Sequence, residues 1–119
     1  MATNQKFDRA DSVSLPVPAE TPAGVFVRVG ALAGVTRAAE GTGGNPEGYA
    51  TVDLVGAYEV PVSGALTPGQ SVFMTGTPDG NGLLAGPLTA TASGNTLVGA
   101  SLTTKSSGSG LATVRPARI

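Results

Sequence analysis

Residues 48–62 read GYATVDLVGAYEVPV, and this stretch decides the fold. Ala50, Val52 and Leu54 fall on one side of an extended chain, Thr51 and Asp53 on the other. Successive side chains of a strand point to opposite faces, so this alternation is the pattern of a half-buried strand. Gly56 interrupts it, and the pattern resumes at Tyr58–Val62. The segment therefore reads as two strands with a bulge or bend between them.

The same reading extends outward in both directions. Val25, Val27 and Val29 alternate with Phe26 and Arg28, and Val72 and Met74 flank Phe73. Ala112 and Val114 alternate with Thr113 and Arg115, which predicts a paired last strand over 111–119. Shorter runs occupy 12–17, 83–90 and 96–104. Pro16 has no N–H for a ladder, so the first run sits at a sheet edge or ends early. Gly86 and Pro87 interrupt the run at 83–90. Gly30 and Gly34 predict a tight turn or bulge that returns the chain as a hairpin. The connectors are rich in Gly and Pro; EGTGGNPEG at 40–48 is the loosest, and SGALTPG at 63–69 leaves room for one helical turn at most. The expected fold is all-β, a small β-barrel or sandwich with an extended N-terminal arm and little or no helix.

A chain of 119 residues predicts one domain. We divide it into a flexible arm, 1–11, and a single β-domain, 12–119. Aromatic residues make up 4% of the chain and Trp is absent, so the core rests on Val, Leu and Ala. These bury less apolar area each, and a thin core gains from a partner surface. Net charge is −1 with 13% charged residues, which argues against nucleic acid and against an anionic membrane surface as partners. With no Cys and no His, disulfides, thiolate catalysis and the commonest metal ligands are excluded. The opening residues, MATNQKFDRADS, show no apolar signal segment, which predicts synthesis in a cytoplasm.

Candidate chemistry is sparse. Gly41, Gly43 and Gly44 lack the Lys-Ser/Thr that a phosphate-binding loop requires. Asp79–Gly82 is similar to part of a calcium loop but lacks the later carboxylates, so it reads as a turn. Asp53 and Glu59 could form a carboxylate pair, yet Asp53 lies on a polar strand face and is better suited to solvation, or to pairing with an Arg across the strand or across a subunit boundary. We therefore expect no enzyme, no cofactor and no metal. The arm carries Lys6, Phe7 and Arg9, an aromatic among charges that could anchor on a neighbour. Arg28, Arg115 and Arg118 are the remaining candidate interface residues, because Arg is enriched where proteins meet.

The order of the runs carries more than any one of them. GYATVDLVGAYEVPV (48–62), TPGQSVFMTGT (67–77), TATASGNTLVGASL (89–102) and the basic-ended GLATVRPARI (110–119) follow one another. This order resembles the capsid decoration (cement) proteins of tailed bacteriophages, over residues 12–119. The resemblance implies a structural protein on the outer capsid surface of the virion. It implies binding to the major capsid protein, bridging of capsomers, self-association as a trimer and resistance to internal DNA pressure. The Gly-rich 41–48 loop and the Pro-laden 16–22 segment depart from the family pattern. A carbohydrate- or host-surface-binding β-domain on the virion is the alternative; it would need exposed aromatics to stack sugars, and only Phe7, Phe26, Phe73, Tyr49 and Tyr58 are available, most of them within strand patterns.

Overall fold

A computed structural model of the chain describes residues 12–117. Among them are ten strands and no helix. The strands are β1 (Ser12–Pro16), β2 (Phe26–Val29), β3 (Leu32–Thr36), β4 (Tyr49–Asp53) and β5 (Tyr58–Ser63), followed by β6 (Ser71–Met74), β7 (Leu83–Ala85), β8 (Leu88–Thr89), β9 (Thr96–Ser101) and β10 (Ser109–Pro116). An antiparallel sheet has the order β1-β4-β3-β2-β7. The other five strands close into a barrel, β10-β5-β8-β6-β9, antiparallel except for the parallel β5–β8 pair. The all-β expectation holds; the extended arm lies outside the described residues.

Gly86 and Pro87 do more than interrupt a strand. Before them β7 pairs with β2 in the open sheet; after them β8 pairs with β5 and β6 in the barrel. The chain changes sheets there. It also crosses at 54–57, where the Tyr58 hydroxyl donates to the Val55 carbonyl at 2.7 Å and holds the bend. β1 lies at the sheet edge and ends on Pro16, as a strand that cannot donate from its last residue must.

The core sits in two layers. Phe26, Ala33 and Val35 of the open sheet pack with Val60, Leu66, Met74, Val98 and Val114 of the barrel side. The Phe26 ring meets Tyr58 edge-on, with centroids 6.4 Å apart. On the other face of the sheet, Val17, Val27, Ala50 and Val52 form a smaller cluster. β2 thus keeps its predicted alternation, yet buries Phe26 on one face and Val27 on the other. The largest fully buried side chains after Leu66 and Met74 are valines. Each buried valine contributes on the order of 1.5–3 kcal/mol, so no single anchor dominates.

Several local expectations are revised. The β2–β3 turn is Gly30–Ala31, while Gly34 lies within β3. There a Cβ would come within 2.6 Å of Val52 Cγ1, so Gly34 permits close packing and does not turn the chain. β9 stops at Ser101, whose hydroxyl donates to the Thr103 carbonyl at 2.7 Å and turns the chain out of the ladder. β10 begins earlier than expected, at Ser109.

The loop at 40–48 is also better tied than its composition suggests. The Glu40 carboxylate accepts the Gly48 N–H at 2.7 Å and the Glu20 N–H at 3.1 Å, while the Glu40 N–H donates to Thr21 O at 2.9 Å. The Gly48 and Glu20 N–H groups hold the Glu40 carboxyl below its ordinary value near 4.5. Lys105, in the Ser/Gly-rich stretch between β9 and β10, is buried. Its ammonium donates to the carbonyls of Gly64 at 2.8 Å, Ser106 at 2.9 Å and Gly108. All three ammonium donors have acceptors, which is the condition for burying a lysine.

Three outcomes follow for stability. Val114→Asp buries an uncompensated charge at a position with no exposure, and denaturant unfolding should show a loss of about 3–5 kcal/mol. Lys105→Met keeps the stem but strands the carbonyls, and the same measurement should show a loss of about 1–3 kcal/mol. Glu40 stabilises as an anion, so its contribution is present above about pH 4.5 and is lost as pH falls through its depressed folded value. The melting-temperature gap between the parent and Glu40→Gln should therefore be open at pH 7 and close on acidification; a gap independent of pH would contradict this role.

Candidate functional site

Of the six candidate interface residues, Lys6, Phe7, Arg9 and Arg118 lie outside the described residues. Arg28 and Arg115 are described, and the fold sets them to different tasks. Arg28 reaches from β2 to β9, where its Nη1 donates to the Leu97 carbonyl; its Nε donates to Gly30 O at 2.7 Å. The reason lies in β9. Val72 pairs with Gly99 and Phe73 with Leu97, so Val98 is an extra residue, a bulge. Arg28 supplies a donor to the carbonyl preceding the bulged residue and links the two sheets.

Arg115 is exposed on β10, opposite Ala100 of β9. It stands at the rim of a groove of about 290 Å³ with Ser71, Leu97, Ala100, Pro116 and Ala117. Gly99 forms part of the lining, and a Cβ there would collide with the Arg115 carbonyl. Only glycine allows β9 and β10 to approach so closely at this point. The Ala117 N–H donates to Val98 O at 2.8 Å, extending the contact between these chain segments past the bulge.

A larger cleft of about 560 Å³ runs between the open sheet and the barrel. Pro22, Val25, Phe26, Val60, Pro87 and Leu88 line it, and no charged residue does. Such a cleft can exclude water but has no charge to orient a ligand.

The carboxylates are accounted for individually. Asp53 pairs with Arg37: Oδ1 lies 2.9 Å from Nη2, and Nε donates to Oδ2 at 3.3 Å. This is the Arg partner expected for Asp53, and it takes Asp53 away from Glu59, which is exposed on the barrel. Because the Arg37 side chain is 66% exposed, the pair contributes under about 1 kcal/mol. Burial, and then the Asp53 charge, push the Tyr58 hydroxyl above its ordinary value. Asp79 accepts the Asn81 N–H at 2.8 Å and the Leu83 N–H at 3.1 Å, as a turn residue does. Among the described residues, no group of three or more acidic side chains is placed to hold a metal ion. Of the aromatic groups, Phe26 and Tyr58 are used against each other, while Tyr49 and Phe73 lie on different sheets.

Charge is divided along the chain in a way its net value hides. Residues 1–79 hold four Lys/Arg and eight Asp/Glu; residues 80–119 hold three Lys/Arg and no Asp/Glu. The first part is thus net −4 and the second net +3, which together give −1. Lys105 and Glu40 escaped the reading of the sequence because each works through backbone groups, which leave no mark on residue type. The one available signal for Lys105 was a cation set among Ser and Gly with no acid in the last forty residues.

Comparison with known proteins agrees with the order of strands. The model for the phage cement protein family matches residues 7–116. No curated protein and no solved structure matches the chain. The family match covers nearly the whole chain and includes every described strand, the bulge and the groove residues up to Pro116. The chain belongs to the phage cement protein family.

Proposed function

We propose that this protein docks on the outer surface of an assembled phage capsid, bridges neighbouring capsomers of the major capsid protein and holds the shell against the pressure of packaged DNA. It is synthesised in the host cytoplasm and acts mechanically, with no reaction. The observation that carries this reading is the family match over residues 7–116. The physical design supports it. A sheet buried on both faces and a closed barrel leave few internal degrees of freedom, so load is passed on and not absorbed. Copies gather as a trimer, with residues 12–119 as one β-domain and residues 1–11 as a contact arm. Each copy need bind only modestly, because linked copies engage several capsomers and release requires that all contacts fail together.

Heating undecorated and decorated shells side by side tests the cementing role. Decorated shells should rupture at a higher temperature; equal rupture temperatures would remove that role. Electron microscopy of the decorated particle should show three-fold clusters of this chain. Deleting residues 1–11 should weaken attachment to shells while leaving the circular dichroism of the β-domain unchanged.

A further inference from the structure

The groove beside Arg115 has properties that the fold does not use. The described residues include four cations. Arg28 is engaged with the Leu97 and Gly30 carbonyls, Arg37 with Asp53, and Lys105 with three carbonyls. Arg115 is exposed, and its strand neighbours bring it no carboxylate: Ala100 lies opposite it on β9. Glu59 sits across from Thr113, two residues back along β10, and no ion pair joins it to Arg115 among the described residues. It is also the sole carboxylate on the barrel strands, while residues 80–119 have none.

The groove is built and not incidental. The bulge at Val98 breaks the regular alternation of β9 and brings Leu97 to the groove wall. Arg28 secures the carbonyl of Leu97 from behind, and Gly99 lets β10 close on β9. The walls are Leu97, Ala100, Pro116 and Ala117, with Ser71 as a polar neighbour and the guanidinium at the rim. Apolar walls beside a guanidinium suit a ligand that carries both an apolar side chain and a carboxylate. The planar fork of Arg meets a carboxylate through two parallel N–H bonds, and nearby apolar atoms strengthen that attraction by excluding water.

We infer that this groove takes an extended acidic–apolar segment of a capsid subunit. One apolar side chain of the segment enters between Leu97 and Pro116, and an adjacent Asp or Glu pairs with Arg115. With no carboxylate in residues 80–119 to offset it, the exposed Arg115 gives the groove a local positive charge that complements an acidic side chain. The inference rests on the capsid-binding reading and specifies the surface and the chemistry of its partner.

Co-sedimentation with undecorated shells of the phage that encodes this chain tests it. Arg115→Glu should lower the affinity at least ten-fold, Arg115→Ala less so, and Arg115→Lys should retain part of it. Arg37→Ala also removes one positive charge, but from a pair within the chain, and should change affinity less than two-fold. Equal losses from Arg37→Ala and Arg115→Ala would trace the effect to net charge and overturn the groove. Unchanged binding by Arg115→Glu removes this inference alone. Failure of the unsubstituted protein to bind removes the capsid-binding reading and this inference with it. A second measurement does not depend on how the charge variants fold: Ala117→p-benzoylphenylalanine, irradiated on shells, should crosslink to a capsid segment with Asp or Glu beside an apolar residue. A crosslink to another copy of this chain, or to nucleic acid, overturns the inference.

Discussion

The contact between Arg28 and the Leu97 carbonyl is a directional constraint between the two sheets. The apolar layer between the sheets is close-packed, but it contains no directional bond of its own. Phe26 against Tyr58 adds one shaped contact. Arg28 adds direction, because a guanidinium holding two carbonyls on different segments admits few geometries. The carbonyl that it reaches is next to the bulge in β9. The cation that joins the sheets therefore also secures the irregularity that shapes the groove.

The strands were legible because their chemistry is local. The alternation in 48–62 identified β4 and β5, and that in 111–115 identified β10, since one face of each meets a core. Gly86–Pro87 was legible as a break, but its meaning was not: that the chain leaves one sheet and enters another depends on partners far away in sequence. Gly34 shows the same limit. Its residue type announces a special position, whereas the reason, Val52 packed against it, comes from a strand some eighteen residues later.

The groove was less legible than the fold. Arg115 was picked out as a surface cation on its strand, and that much needs only alternation. The concavity beside it comes from one extra residue in β9, and Val98 looks in sequence like any other strand valine. A bulge is a property of two strands in register, so it emerges only when β6 and β9 are paired. Arg28 and Arg115 were likewise equivalent as sequence and differ only in what surrounds them: two carbonyls within reach of one, open surface around the other.

A thin core and a structural role fit together physically. Ligands that bind only the folded state stabilise it by mass action, so attachment to a shell adds to the stability of the attached domain. The fold then need only be stable enough to reach the shell. Stiffness, by contrast, depends on geometry more than on total burial. This chain places its directional contacts accordingly: Lys105 ties the loop before β10 to the end of β5, Glu40 ties the 40–48 loop to residues 20–21, and Arg28 ties sheet to barrel. Each polar tie joins segments that the apolar layers hold less firmly. A small valine core cross-linked by charged hydrogen bonds gains directional contacts without the large apolar interior that a longer chain could build.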